Sequence, residues 1–346
     1  MSNKTIKTDV LIIGASASGL MCAIQAGMRG RNVTVLDHAN RAGKKILMSG
    51  GGRCNFTNMD IDAAHFISHN KHFCKSALSR YTQWDFIAMV NAHRIPYHER
   101  DLGKLFCDDS AKDILNMLLQ ECKKAKVKIQ LNCDIKDIEK NADGMYDINT
   151  SSGNFHSRSL VIASGGLSIP KLCASPLGYK VAELFGHHIW PTSPGLVPFT
   201  LQPLDKEKLE VLSGVSVDCM VSNRRIQFKE SILFTHRGLS GPAILQISSY
   251  WKPGETITIN LLPDLSVIDL LTAKREKQPQ LKLKTVLVDV LPRRLLAVLL
   301  GTETIEQPLQ NLSRERICAI AEILHNWQIK PNATEGYRTA EAVSYT

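Results

Sequence analysis

Hydrophobic and polar positions alternate with several different periods along the chain, and each change of period marks an element. Asp9 to Ile13 is an apolar run rich in β-branched residues, the pattern of a strand covered on both faces, as in a parallel sheet. Asn32 to Leu36 repeats that pattern, and the stretch between them predicts a helix that follows a glycine-containing turn. Residues 59 to 100 read as helical and polar. Ser110 to Lys124 has a helical period that places Ile114, Leu115, Leu118 and Leu119 on one side. Val127 to Leu131, Ile135 to Glu139 and Met145 to Thr150 alternate as strands, and with Asn154 to Ser157 they predict a hairpin-containing excursion. The sheet then resumes at Leu160 to Ala163, and Gly178 to Phe185 reads as a helix.

From Pro191 the pattern changes. Pro191, Pro194, Pro198 and Pro203 interrupt the alternation of helix and strand. Short strands are expected at Val215 to Val221, Ile226 to Phe228, Ile232 to Phe234 and Thr256 to Leu261, and helices at Leu265 to Leu300 and Ser313 to Trp327. Ser313 is the expected N-cap of the last helix, with Arg316 in place of the Glu that would complete a capping box. The fold class predicted is α/β: a Rossmann-like nucleotide-binding domain with an inserted antiparallel β domain and a helical segment. The boundaries read as 1–190 for the Rossmann-like domain, 191–263 for the β-rich insert, 264–330 for its helical part, and 331–346 for the start of a return to the first domain.

The turn after the first strand carries the first candidate chemistry. Gly14, Ser16 and Gly19 occupy the three positions of a G-x-G-x-x-G fingerprint. Gly14 permits the sharp turn, Gly19 lets the helix lie close to the sheet, and the helix N-terminus offers free N–H groups to a pyrophosphate. Ser at the middle position departs from the fingerprint. Asp37 ends the second strand 23 residues after Gly14, near the spacing of an acid that binds a ribose hydroxyl. An ordinary βα turn is the alternative. Arg41 to Asn58 then includes Gly50, Gly51 and Gly52 in succession, and these are expected to bring backbone against a flat or charged group, with a flexible surface loop as the alternative. Ser164, Gly165 and Gly166 follow a buried strand at the same carboxyl edge, where open α/β sheets bind ligands.

The residues expected around a nucleotide are therefore Gly14, Ala15, Ser16, Ser18, Gly19, Asp37 and His38 from the first turn and second strand, then Lys44, Lys45, Gly50, Gly51, Gly52 and Asn55 from the glycine-rich stretch. Ala163, Ser164, Gly165 and Gly166 join them from the second turn. His65, His69 and His72 have helical spacing, but no carboxylate or cysteine accompanies them. They are read as surface histidines, and no metal is expected.

At 346 residues, 44% apolar and 22% charged, the composition is that of a soluble globular protein large enough for two domains. Nine cysteines without a C-x-x-C pair suit reduced thiols and a cytoplasmic location better than a disulfide framework. Lys4 and Lys7 precede an apolar stretch, but Asp9 interrupts the basic region, so no signal peptide is expected. No apolar run reaches the roughly 18 residues of a membrane span. The net charge of +9 can steer the chain toward nucleic acid, or can simply keep it soluble.

The stretches KKILMSGGGRCNFTN at 44–58, VIASGGLSIPK at 161–171, GHHIWPTSPGLVPF at 186–199 and ILFTHRGLSGPAILQIS at 232–248 give the chain a wider likeness. It resembles the BaiN/RdsA (YhiN-like) family of FAD-dependent oxidoreductases over nearly its whole length. The resemblance implies FAD on the N-terminal sheet, an inserted domain, and NAD(P)H as electron donor. It further implies reduction of a conjugated C=C bond, either uracil to dihydrouracil in ribosomal RNA or a small steroid-like enone. Against such a flavin, Cys54 is the expected proton donor and Arg53 the expected stabiliser of charge on a substrate carbonyl. Phe106-Cys107 departs from the Phe-Pro usual in the family. Glu335 to Thr346 stands where the family's closing segment over the flavin begins, so the chain reads as C-terminally truncated. A non-catalytic homologue that holds FAD poorly is therefore the alternative to the enzyme, and an NAD-only dehydrogenase would leave the glycine-rich stretch without a role.

Overall fold

The computed structural model describes Thr5 to Ser344. Contacts divide the described residues into a first unit that ends at Pro191 and a second, Thr192–Ser344.

In the first unit, β1 (Thr5–Ile13), α1 (Ala17–Met28) and β2 (Val33–Leu36) form the βαβ start that the periodicity predicts. Then come α2 (Lys44–Met48), β3 (Asn55–Asn58), α3 (Lys75–Arg80), α4 (Gln83–Ala92), β4 (Tyr97–Arg100), β5 (Lys104–Cys107) and α5 (Ala111–Lys124). β6 (Lys128–Gln130), β7 (Ile135–Lys140), β8 (Tyr146–Thr150), β9 (Gly153–Ile162) and α6 (Leu177–Leu184) complete the unit. The main sheet has the order β6-β2-β1-β9-β8-β7, and β3, β5 and β4 form a small separate sheet. The β6-β2-β1-β9 part is parallel, whereas β8 and β7 are antiparallel.

Strand β1 shows why its sequence lacks alternation: both of its faces are covered. Ile12 packs with Leu20 and Ile24 of α1 and Leu118 of α5, while Leu11 and Ile13 pack on the other side with Ile148, Phe155 and Val181. The excursion strand expected at Asn154–Ser157 and the resumed strand at Leu160–Ala163 are one continuous β9. Its first half pairs with β8 and its whole length pairs with β1. Residues 59–100, expected to be helical, form helix only at α3 and α4 apart from a single turn at Ala63–His65. The remainder is irregular or belongs to β4.

In the second unit, β10 (Ser193–Gly195), β11 (Phe199–Thr200), β12 (Ser216–Ser222), β13 (Gln227–Thr235), β14 (Gly238–Ser240) and β15 (Ile257–Asn260) are interrupted by the helices Pro203–Leu209 and Pro242–Ser248 and precede the remaining helices. β16 (Trp327–Ile329), β17 (Ala333–Thr334) and β18 (Ala342–Ser344) follow them. The antiparallel sheet runs β16-β15-β12-β13-β14-β11-β17, and β10 pairs with β18. Its core joins Phe199, Phe234 and Ile244 with Leu271, Leu287 and Leu295, so the β-rich and helical stretches share one core. The long helix expected over Leu265–Leu300 is divided into Val267–Lys277, Leu283–Leu287 and Arg293–Leu300, because Pro279 and Pro292 cannot continue a helix. Segment 331–346, expected to begin a return to the first domain, pairs as far as Ser344 within the second unit. Tyr345 and Thr346 lie outside the described residues.

Candidate functional site

A cavity of about 630 Å³ opens at the carboxyl edge of the parallel strands in the first unit. Its floor is the β1–α1 turn. Gly14 has φ +118°, and a Cβ there would lie 2.2 Å from the carbonyl oxygen of Ala163 at the end of β9. A Cβ on Gly19 would lie 1.8 Å from the oxygen of Gly14. Strand end, helix start and second turn are thus pressed together by the two absent side chains. Ser16 is the N-cap of α1 at φ −118°, extended backbone open to any residue, which is why the fingerprint tolerates Ser there. Ser16, Ala17 and Ser18 line the cavity, and the first N–H groups of α1 have no partner within the helix.

Asp37 holds this floor from the side. Its Oδ2 accepts from the Ala15 N–H at 2.7 Å and its Oδ1 from the Ala39 N–H at 2.8 Å, so the carboxylate ties the β1–α1 turn to the end of β2. Asp37 also lines the cavity, and its Oδ1 lies 3.7 Å from His38 Nδ1. Ala15 is fully buried behind this bond, and Gly19 lies in the helix packing; neither lines the cavity. His38 and Arg41 do line it.

Two lysines join the walls. Lys44 Nζ lies 3.1 Å from Cys173 Sγ, and Lys45 Nζ donates to the Gly166 carbonyl at 3.2 Å and to Ser168 Oγ at 3.1 Å. Burial pulls the Lys45 ammonium below the ordinary lysine range. Ala163, Ser164 and Gly165 line the cavity, whereas Gly166 contributes only its carbonyl to Lys45.

The glycine run departs from its expected role. Gly50, Gly51 and Gly52 have φ +56°, +66° and +88° and are absent from the cavity wall. They form a left-handed turn instead: a Cβ on Gly50 would lie 2.6 Å from the Asn55 nitrogen and 2.8 Å from the Phe106 ring, one on Gly52 would lie 4.0 Å from the Leu47 oxygen, and Gly51 faces open space. The turn returns the chain so that Cys54 and Asn55 reach the cavity. Arg53 is exposed and outside the wall, its carbonyl accepting from the Cys107 N–H at 3.0 Å. The geometry therefore does not place its guanidinium among the groups that meet a bound molecule.

Cys54 is 5% exposed with φ +51°, its N–H bonded to the Ser49 carbonyl at 3.0 Å. Burial pushes its thiol up, partly offset by a hydrogen bond with the Ser49 side chain. Cys107, buried nearby, is pushed up to about 12 by burial and by Cys54. Sequence reading missed Phe56 and Phe86, whose rings stand 6.0 Å apart on the wall, and Cys133 and Asp134, which follow β6. The second pair was legible in principle, since the carboxyl end of any parallel strand faces this edge. Among the described residues, no group of His, Cys, Asp or Glu is arranged to hold a metal, and no helix is long and apolar enough to cross a membrane.

Residues 8–244 match the HI0933-like protein Rossmann domain, and residues 193–342 match the HI0933-like protein barrel and H2TH domain. The chain belongs to the HI0933-like family. Within reach of this family, the chain is 48% identical over 335 residues to the ribosomal RNA dihydrouridine synthase of Escherichia coli (strain K12), covering 96% of this chain and 84% of that protein. It is 44% identical over 339 residues to the protein of the same name from Haemophilus influenzae, again covering 96% and 84%. A 3-dehydro-bile acid delta(4,6)-reductase from Clostridium scindens is 26% identical over 313 residues, covering 86% of this chain and 75% of that protein. As an HI0933-like protein the chain is an FAD-dependent oxidoreductase, the enzyme class its family resemblance implies.

Proposed function

We propose that this HI0933-like protein reduces uracil to dihydrouracil in ribosomal RNA, with electrons from NAD(P)H passing through FAD bound in the first unit's cavity. The observation that carries the reading is the 48% identity, across 96% of the chain, to a ribosomal RNA dihydrouridine synthase. The cavity fits the cofactor. At about 630 Å³ it lies within the usual range of ligand pockets. Its glycine floor leaves no room for a Cβ, and its wall combines unpartnered helix N–H groups with cationic side chains.

In this arrangement the α1 N-terminus and Lys44 would hold the pyrophosphate, Lys45 fixes the turn after β9, and Asp37 would accept from a ribose hydroxyl. FAD supplies, when bound, a two-electron hydride donor that closed-shell side chains lack. The chain's own part is to orient the base, exclude water and deliver a proton. Cys54 suits the last task, because a thiol pushed up by burial stays protonated at neutral pH and lines the cavity. A cytoplasmic location goes with a ribosomal RNA substrate.

The bile acid reductase relative favours a second reading, reduction of a small steroid-like enone. Incubation of the purified, FAD-loaded protein with NAD(P)H and unmodified ribosomal RNA, or with a steroid enone, separates the two. Dihydrouridine formed in the RNA is the expected product. Turnover of the enone alone would replace this reading with the second.

A further inference from the structure

Between Ala63 and Trp84 the chain passes without an Asp or Glu, yet carries His69, Lys71, Lys75 and Arg80 among aromatic residues. Those aromatics are not buried. Phe66 is 46% exposed, Phe73 79% and Trp84 54%. A second segment of the same unit meets this stretch: Trp190, 51% exposed, stacks on His69 with ring centroids 4.3 Å apart and planes at 24°, and His188 stands edge-on to it at 5.2 Å. Exposing this much aromatic surface costs a protein solubility and stability unless the surface is used. The stretch leaves from β3, whose Asn55 and Phe56 line the cavity, and ends at α4, whose Phe86 lines it. Both of its ends are therefore anchored at the proposed flavin site.

We propose that this face docks single-stranded RNA flanking the nucleotide that enters the cavity, a proposal that rests on the ribosomal RNA reading above. Two physical requirements select this partner. An enzyme acting on a base must take it out of the stack, and the neighbouring nucleotides then need surfaces to replace the stacking they lose. Exposed indole and phenyl rings supply those surfaces, and the imidazole beneath Trp190 holds its ring in place before binding. The phosphates need cations, which Lys71, Lys75 and Arg80 provide between two acids, Asp62 and Asp85, that accept from the Ala64 N–H and from Thr82. Trp190 and Phe73 stack bases, and the lysines take phosphates.

The test is fluorescence anisotropy of a labelled, uridine-rich single-stranded RNA of about 20 nucleotides, titrated with the protein at several salt concentrations, with thermal unfolding as the control for folding. Trp190→Ala is expected to weaken binding by about tenfold or more, the usual cost of a lost stacking platform. Phe73→Ala, at a side chain too exposed to unfold the protein, should weaken it in the same direction. Lys71→Gln should reduce the slope of log affinity against log salt by about 0.7. Parental affinity in both aromatic variants, while the protein still forms dihydrouridine in ribosomal RNA, would overturn the docking face and leave the substrate reading standing. Trp190→Ala that alters only self-association, seen by light scattering, would assign the face to a second copy instead. Failure of the parent to bind the single strand at low salt would likewise overturn the docking face, whereas the substrate reading falls only if the FAD-loaded parent forms no dihydrouridine in ribosomal RNA.

Discussion

At Cys54 a left-handed backbone and a buried thiol coincide on the cavity wall. If that thiol is the proton donor, Cys54→Ala should leave FAD bound and reducible by NAD(P)H, while transfer to the uracil slows by about a hundredfold or more. Stopped-flow traces of the two half-reactions check this, and equal slowing of both would reduce Cys54 to a packing residue. Because burial raises its pKa from the ordinary 9.0, the transfer rate should hold through pH 9 and fall only above it. Gly14→Val should abolish FAD binding, since a side chain meets the Ala163 carbonyl in a backbone region that L residues rarely adopt. Asp37 was legible as an acid at the right spacing, but not as the bridge between two backbone amides, because spacing does not show which amides fold back on it. That bridge changes its expected variant: Asp37→Ala leaves the Ala15 and Ala39 N–H groups without their acceptor and should cost about 1–3 kcal/mol of stability in addition to cofactor affinity. Denaturant unfolding of the apoprotein measures the first loss separately from the second.

Elements with one strong period were legible, and those defined by pairing partners were not. Helix α5 runs from Ala111 to Lys124 behind its Ser110 cap, because a single apolar stripe and a cap agree on its limits. The last helix likewise begins after Ser313, whose hydroxyl accepts from the Arg316 N–H at 3.2 Å. Ser313→Ala should therefore lower stability by roughly 1 kcal/mol, read from the urea midpoint, and an unchanged midpoint would mean the cap bond is replaced by water at no cost. Strand β9 was read as two pieces because only its first half also pairs with β8, while β1 runs along both halves, and only the sheet shows that continuity. The glycine run at 50–52 was legible as a place of unusual backbone. Its target was not, since three left-handed residues can carry the chain either onto a ligand or around a corner, and here they turn it.

For the whole molecule, buried thiols link the two units' stabilities to pH. Cys107 and Cys122 in the first unit are held at about 12 and about 11, and Cys219 in the second at about 12, all chiefly by burial. Unfolded thiols ionise near the ordinary 9.0 while folded ones stay neutral, so the stability they contribute is complete below pH 9 and is lost as pH rises from there toward 11 to 12. The urea midpoint should therefore fall between about pH 8 and about pH 10.5, and Cys107→Ala should flatten that fall. The parallel sheet and its ligand edge were legible from the βαβ start alone, whereas the aromatic wall and the docking face were not, because residues as distant as His69 and Trp190 meet only once the chain is folded. Through a flavin at that edge, we propose, this fold reduces uracil in ribosomal RNA. Mass spectrometry of dihydrouridine in ribosomal RNA from cells lacking the gene tests it most directly, with the parent chain or Gly14→Val supplied in trans. The modification is expected to be lost in the deletion, restored by the parent and not restored by Gly14→Val; dihydrouridine that persists without the gene, or returns with Gly14→Val, would refute the flavin-dependent reading.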